Sequence, residues 1–177
     1  LPNVKNTAYA LDSLVAPKNI EMLLRQKVFN KIELESRYHT KLEQYIKTIE
    51  IECETMNNMI NGMVIPAAMT YQATLIEVVQ GLKNLNAVVP EASYNPEIDL
   101  LKKITEIIAR LKAGQNDLTA AVEKAEVIED LSRRAKFIAD HILPLMTKVR
   151  KPADELENLV ADDLWPLPKY SEMLFIL

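Results

Sequence analysis

Apolar side chains recur at steps of three or four residues through one predicted helix of more than 50 residues. Helix positions three or four apart share a face, so this spacing forms a single apolar stripe. The apolar stripe consists of Tyr38, Leu42, Tyr45, Ile49, Cys53, Met56, Ile60, Met63, Ala67, Tyr71, Leu75, Val78, Leu82 and Leu85. Because an average globular helix has about 11–12 residues, this length is typical of a bundle or coiled coil and not of an enzyme pocket.

The start of the long helix is marked by residues that commonly begin helices. Residues 8–14 and 17–26 predict two short helices before it, and Pro17 suits the first position of the second. Asn30 is a suitable N-cap, and Glu33 completes a capping box. Pro66 lies inside the long helix, where it removes a backbone donor. We expect a kink there and not a stop, because the apolar stripe keeps its phase on both sides.

A second helix is predicted to follow a loop over residues 86–95. Asn95, Pro96 and Glu97 combine a cap, a first-turn proline and an acid at the positive end of the helix dipole. Gly114 is expected to weaken the middle of this helix. Its apolar positions are Ile98, Leu101, Ile104, Ile108, Leu111, Leu118 and Val122.

A third helix is predicted over residues 128–160, with Pro144 and Pro152 as interruptions. Short connections place consecutive helices antiparallel. The sequence therefore predicts an all-α fold: a long kinked helix followed by two antiparallel helices forming a three-helix bundle, with short N-terminal helices and an aromatic C-terminal tail. The predicted organisation is a lead-in over residues 1–30, a helical bundle over residues 31–163 and an apolar tail over residues 164–177.

Composition narrows the classes of function. Only 3 glycines are present, which disfavours sheets and phosphate-binding loops. The net charge of −4 and the scattered basic residues argue against a nucleic-acid surface. We expect no membrane-spanning segment, because no run of about 18 apolar residues is present. The single cysteine, Cys53, indicates a reducing, cytoplasmic compartment. Since the chain begins Leu1-Pro2-Asn3, we interpret it as a piece of a longer polypeptide.

Candidate metal ligands are few and poorly spaced. Di-iron bundles require Glu-x-x-His on facing helices, and neither His39 nor His141 has an acid three residues before it. Glu35 precedes His39 by four residues, which we interpret as a surface pair. Three alternating glutamates of the long helix are Glu50, Glu52 and Glu54. Alternation spreads them around the helix, so we interpret them as a solvated acidic flank. We therefore assign no catalytic, cofactor-binding or metal-binding residue.

Sulfur-containing side chains of the long helix are interpreted as core packing. Methionine fills irregular gaps in cores, and a free cysteine within the apolar stripe behaves as a small hydrophobe. The residues concerned are Cys53, Met56, Met59, Met63 and Met69. Gly-rich phosphate loops, Cys-x-x-Cys and His-Glu-x-x-His are absent from the sequence.

The C-terminal tail is too apolar for a free chain end, which is usually polar and frayed. Two alternatives stay open: the tail folds back on its own bundle, or it docks on another domain or a neighbouring subunit. The candidate interface residues are Trp165, Tyr170, Leu174 and Phe175.

Several segments resemble type III glutamine synthetases. Residues 33–52 read ELESRYHTKLEQYIKTIEIE, residues 64–72 read VIPAAMTYQ, and residues 164–175 read LWPLPKYSEMLF. In the lead-in, ALDSL and the later Val28-Phe29 are similar to the end of the catalytic domain in glutamine synthetases generally. Residues 88–129 match in helical character only.

The resemblance implies a parent enzyme that joins glutamate and ammonia, using ATP and magnesium or manganese to form γ-glutamyl phosphate. It also implies a homo-oligomeric ring, in which this chain contacts the catalytic domain of the same polypeptide and neighbouring subunits. The family's catalytic residues and metal ligands lie upstream, so none is assigned here and the chain alone is expected to be inactive. Residues 1–30 would be the remnant of the catalytic domain, and the helices would shape the oligomer or cover the active-site mouth. The alternatives are a stand-alone helical interaction module and a bundle that holds a metal or cofactor.

Overall fold

The structure, a computed structural model, describes residues 4–85 and 88–174. The chain is 82% helical and has no strand among these residues, which confirms the all-α prediction and the helical bundle. Two short helices, α1 (Thr7–Ala10) and α2 (Pro17–Arg25), precede the long helix, with a 3₁₀ turn at Leu11–Ser13 after α1. Both lie where the sequence predicts them.

The long helix is built from α3 (Lys31–Met59), a π-helical turn (Ile60–Val64) and α4 (Ile65–Asn84). Its capping box is confirmed. The Glu33 N–H donates to Asn30 Oδ1 over 2.9 Å, and the Asn30 N–H donates to Glu33 Oε2 over 2.7 Å. These two bonds satisfy donors that the start of a helix leaves without partners, so they fix where α3 begins.

Both mid-helix prolines follow a π-helical turn. Before Pro66, the Ile65 N–H donates to the Ile60 carbonyl five residues back. Before Pro144, the Leu143 N–H donates to the Ile138 carbonyl in the same way. A proline lacks an N–H and clashes with the carbonyl four residues before it. A wider turn of i→i+5 bonds lets the chain continue past this obstacle as a helix.

The π turn shifts the buried face of the long helix. The apolar stripe was expected to keep its phase through Pro66, and this is wrong in part: Ala67 and Leu75 are buried as predicted, but Met63 is exposed and Val64 is buried in its place. Further along, Val79 is buried and Val78 is exposed. The reason is that the π turn adds a residue, so the next inward position after Ile60 comes four residues later and not three.

The later helices are α5 (Asn95–Glu126), α6 (Leu131–Phe137), α7 (Leu143–Glu157) and α8 (Tyr170–Met173), with a second π turn at Ile138–Ile142 and 3₁₀ turns at Glu91–Tyr94 and Asp162–Leu164. Two expectations are wrong in detail. Asn95 has helical backbone angles because the 3₁₀ turn runs directly into α5, so it is not an N-cap. Pro152 lies within α7 without ending it, since the fully buried Val149 and Leu156 hold the helix on both sides.

By its contacts the chain divides into two compact units. Unit 1 comprises Leu1–Glu54 and Asp117–Met146, and unit 2 comprises Thr55–Asn116 and Thr147–Leu177. The core of unit 1 is made of Ala8, Leu34, Leu42, Ile46, Ile49, Cys53, Leu118, Ala121, Ala125, Ala135, Ile138, Ala139 and Ile142. The predicted domain boundaries at residues 30 and 163 stay a prediction.

Unit 2 contains α4, the first part of α5 and most of α7. Its buried side chains include Ile60, Val64, Ala67, Ala68, Leu75, Val79, Tyr94, Ile104, Ile107, Leu111, Gln115, Val149, Leu156, Val160 and Trp165. Between the long helix and α5, Gln72 Nε2 donates to Thr105 Oγ1 over 2.7 Å and Lys112 Nζ donates to Asn61 Oδ1 over 3.3 Å. The later residue of one helix pairs with the earlier residue of the other, as in antiparallel neighbours.

One helix among the described residues, Lys31–Asn84, is long and apolar enough to cross a membrane by length and composition alone. An 18-residue window within it has a mean hydropathy of 1.3, and 28% of that window is buried inside the chain. The expectation of no membrane-spanning segment is therefore not confirmed by this criterion. Buried helices of water-soluble bundles meet the same criterion, so it does not by itself assign the chain to a membrane.

The two helices α5 and α7 approach closely at Gly114. A Cβ atom at this position would lie 3.2 Å from Val149 Cγ2 and 3.8 Å from Val149 Cα. Nearby, the Arg110 guanidinium bonds both carboxylate oxygens of Glu155, at 2.5 and 3.3 Å. Gly114 is thus required for packing, although its intrinsic helix propensity is poor.

We predict that Gly114→Ala destabilises the chain whereas Gly81→Ala stabilises it. Alanine at residue 81 meets nothing within 4 Å, so it gains up to about 1 kcal/mol of helix propensity. At residue 114 the added methyl group presses on the fully buried Val149, and overpacking costs about 1–3 kcal/mol. Urea unfolding of the two variants measures the difference. Equal stabilisation by both substitutions would contradict the close-approach role of Gly114.

Candidate interface surfaces

An apolar surface is exposed between the end of α2 and the first turn of α3. Ile32 is 78% exposed and Val28 is 55% exposed. Beside them lies an open groove of about 790 Å³. The groove is lined by Leu14, Phe29, Asn30, Ile32, Glu33, Ser36, Arg37, Thr40 and Lys41. We call Leu14, Val28, Phe29 and Ile32 the N-terminal patch. Val28 and Ile32 are exposed, and Leu14 and Phe29 are half-buried beside them. Exposed apolar side chains of this kind mark contact surfaces.

The end of α2 positions this patch through a strained residue. Lys27 has a φ of 54°, a left-handed conformation that glycine usually occupies. The Val28 N–H donates to the Leu23 carbonyl and the Lys27 N–H to the Leu24 carbonyl, both over 3.0 Å. These are the two bonds of a Schellman motif, which reverses the chain so that Val28 and Phe29 follow the helix end. This motif is not predictable from the sequence, because lysine is not a residue expected at its left-handed position.

A cation–π contact forms part of the groove. The Arg37 guanidinium lies 4.5 Å from the centre of the Phe29 ring. This contact places a positive charge against an apolar side chain of the groove.

A polar network ties the first described residues of unit 1 to α6 and the π turn Ile138–Ile142 of the same unit. The Tyr9 hydroxyl donates to Asp140 over 2.6 Å, and Lys136 Nζ lies 2.7 Å from Asp12 Oδ2. The Tyr38 hydroxyl also donates to Asp12, over 3.2 Å. The bond to Asp140 raises the pKa of Tyr9, and the bond to Asp12 raises the pKa of Lys136. The network holds the lead-in against the helices of unit 1.

The glutamates of the long helix do not converge, but one of them is not solvated. Glu52 and Glu54 are exposed as expected. Glu50 pairs with Arg134, and each side chain is only about one-fifth exposed. The interpretation of Glu50 as part of a solvated flank is therefore wrong, because α6 brings a guanidinium against it.

The two histidines lie apart from any acidic cluster in the described part of the chain. Glu35 pairs with Lys31 over 3.7 Å and not with His39, whose ring contacts Tyr38. His141 contacts the ring of Phe137. Within residues 4–85 and 88–174, no three histidine, cysteine or acidic side chains are grouped as metal ligands would be.

The methionines of the long helix are mostly at the surface. Met59, Met63 and Met69 are exposed, and only Met56 is partly buried. The interpretation of the four as core packing is wrong for the three exposed ones. The π turn is one reason, since it directs Val64 inward in place of Met63.

Cys53 is buried, as the sequence predicts, with 2% of its surface exposed. Burial, with smaller contributions from Glu52 and Glu50, raises the pKa of its thiol to about 11. A thiol of this kind stays protonated at neutral pH and acts as a packing group.

The tail begins inside its own unit. Trp165 is 8% exposed, and its 3₁₀ turn Asp162–Leu164 contacts α4 in unit 2. Leu174 is exposed. The side chain of Tyr170 and the whole of Phe175 lie outside the described residues. An interface role for these four residues stays a prediction.

The family model described as the glutamine synthetase C-terminal domain matches residues 1–83. This stretch includes α1, α2, the capping box and the first π turn, together with the N-terminal patch. The chain is thus identified as a C-terminal region of the glutamine synthetase family.

Curated relatives that match nearly the whole chain are glutamine synthetases, and one of them is named a type-3 enzyme. The chain is 30% identical to the type-3 glutamine synthetase of Dictyostelium discoideum, over 99% of the chain and 24% of that protein. It is 27% identical to the glutamine synthetase of Bacteroides fragilis, again over 99% of the chain and 24% of the relative. The chain is 29% identical to the glutamine synthetase of Butyrivibrio fibrisolvens, over 100% of the chain and 25% of that protein. The chain spans about a quarter of the length of these relatives, at their C-terminal end.

We predict that the Cys53 thiol makes the chain less stable at high pH. The pKa of the thiol is higher in the folded than in the unfolded chain. Its contribution to the stability of the folded chain is therefore complete below about pH 9 and is lost as the pH rises toward 11. At about 1.4 kcal/mol per pKa unit, the full loss is about 2–3 kcal/mol.

The measurement is urea unfolding of the chain and of Cys53→Ala at pH 8 and pH 10.5. Tyrosines and lysines titrate in both proteins, so the variant isolates the thiol. The difference in free energy of unfolding between the two proteins should be smaller at pH 10.5 than at pH 8. An equal difference at both pH values would show that burial does not raise the pKa of Cys53.

Proposed function

We propose that the chain is the non-catalytic C-terminal helical domain of a type III glutamine synthetase and serves assembly or structural coupling. The observation that carries this proposal is the N-terminal patch. It exposes apolar side chains within the stretch that matches the family's C-terminal domain.

The physical support is the cost of leaving this patch in water. Burying a side chain such as Ile or Val gains about 1.5–3 kcal/mol, and Ile32 and Val28 are more than half exposed. The left-handed Lys27 adds strain that fixes the direction of the chain immediately before the patch. A surface that is both apolar and held in place fits contact with the catalytic part of the same polypeptide.

The reaction of the parent would be the ATP-dependent joining of glutamate and ammonia to give glutamine, ADP and phosphate, with magnesium or manganese. The residues that bind these substrates and ions would belong to the preceding part of the polypeptide, so the chain alone would be inactive. Neighbouring subunits of a cytoplasmic homo-oligomeric ring would be its other partners. A buried thiol that stays protonated is compatible with a reducing compartment.

A stand-alone helical interaction module is the second candidate. The all-helical fold supports it equally well. The polypeptide sequence upstream of residue 1 separates the two candidates, because the first requires a glutamine synthetase catalytic domain there.

We predict that removing residues 31–177 from the parent polypeptide abolishes ring assembly, ATP-dependent glutamine formation or both. Size-exclusion chromatography with light scattering measures ring assembly, and a glutamine assay measures ATP-dependent glutamine formation. If the shortened enzyme assembles and turns over as the intact one does, the structural role is wrong.

A sharper version of the same test uses Val28→Asp and Ile32→Asp in the parent. Aspartate in the first turn of α3 favours the helix dipole, so loss of assembly or activity by Ile32→Asp would not arise from a weakened helix. The matched control is Val127→Asp, which changes an exposed valine in the α5–α6 connection of the same unit. We expect the two patch variants to impair assembly or activity and the control to have no effect.

A further inference from the structure

A second apolar surface lies on the long helix within unit 2. Residues 55–76 contain no Asp, Glu, Lys, Arg or His. The exposed residues of this stretch include Met59, Gly62, Met63, Pro66, Met69, Thr70, Ala73 and Ile76. We call these eight residues the methionine face. Its most exposed methionine, Met69, is 57% exposed.

Helix geometry puts the methionine face opposite the core of unit 2. Its members recur at steps of three, with adjacent pairs at Gly62–Met63 and Met69–Thr70, so they share one broad side of the helix. The other side carries Ile60, Val64, Ala68 and Leu75, all of which are buried. A surface helix normally carries charged residues on the side away from the core. Here that side is uncharged and apolar, which is typical of a surface covered by a partner.

The charge pattern disfavours a membrane as that partner. Helices that lie on lipid carry Lys and Arg on their polar side, and residues 55–76 contain neither. A spanning orientation would require lipid around the whole helix, whereas Ile60, Val64 and Leu75 pack inside unit 2. The occupant is therefore a surface that needs no opposite charge.

A second copy of the same face meets this condition. In an antiparallel pair with a two-fold axis at Pro66, each residue opposes the one equally far on the other side of Pro66. Met59 then opposes Ala73, and Met63 opposes Met69. Gly62 opposes Thr70, and space is open at Gly62, where an added Cβ atom would meet nothing within 4 Å. Large side chains thus face small ones or each other without any like-charge pair, as an isologous interface requires.

We infer that the methionine face is a self-association surface, on which two copies of this chain pair antiparallel about Pro66. Methionine suits such a contact because its flexible, polarisable side chain adapts to irregular partners. One helix side covers less than the usual interface of about 800 Å² per partner, so we expect micromolar affinity for the chain alone. The inference rests on this face and not on the proposed enzymatic parent.

The test is sedimentation of the 177-residue chain over about 1–500 µM, a range that brackets the expected affinity. Met63→Lys and Met69→Glu each place a charge against an apolar residue of the partner, and each should weaken self-association by at least about 30-fold. The double variant Met63→Lys with Met69→Glu creates two Lys–Glu pairs across the axis and should restore dimers. Val88→Lys, which charges an exposed valine of the same unit, should leave association unchanged.

Four outcomes would overturn the inference. The first is a chain that stays monomeric throughout the range, and the second is association that survives Met63→Lys. The third is a folded double variant, checked by circular dichroism, that does not recover dimers. Binding of the chain to phosphatidylcholine vesicles that is lost in Met63→Lys would assign the face to lipid instead. None of these outcomes bears on the truncated parent enzyme, so the two proposals fail separately.

Discussion

The constraint on which the structure depends is that two long helices must pass a proline without losing their buried face. Pro66 and Pro144 each remove a backbone donor, and each is preceded by a π turn that lets the helix continue. The turns also decide which side chains point inward. Ile60 and Val64 are buried at the first, and Ile138 and Ile142 at the second. Without this change of phase, Met63 would replace Val64 in the core of unit 2.

The same change of phase leaves apolar residues outside. A helix as apolar as residues 55–76 has more hydrophobic positions than one packed side can use. The surplus becomes the methionine face, while the N-terminal patch arises where a left-handed Lys27 redirects the chain after α2. Both surfaces are adjacent to well-packed helices, so each is presented by a fixed backbone. This combination of a rigid helical scaffold and uncovered apolar surface fits a domain that works through contacts.

The fold class followed from the sequence because a period of three to four is a strong signal over many turns. The buried residues of α5 and α7, such as Leu111 and Val149, were predicted for the same reason. The capping box was predicted from Asn30 and from Glu33 three residues later. The π turns could not be predicted in this way. Met63 and Val64 are both apolar, so hydropathy does not say which one points inward, and the backbone bonding around Pro66 decides.

Tertiary contacts account for the other differences. The approach of Gly114 to Val149 and the pairing of Glu50 with Arg134 join residues far apart in sequence, and no local pattern encodes them. The lead-in held by Tyr9 and Asp140 is of the same kind. Of the candidate interface, the apolar character of Val28 and Phe29 was visible in the sequence. The exposure of Val28 was not, since it depends on how α2 ends.

The central claim is that the N-terminal patch is covered when the chain is part of its parent enzyme. Amide hydrogen exchange tests it directly, by comparing residues 26–34 in the 177-residue chain and in the intact parent polypeptide. The account predicts exchange at least about tenfold slower in the parent, with no change in the exposed connection around Val127. Equal exchange of residues 26–34 in the two proteins would contradict it.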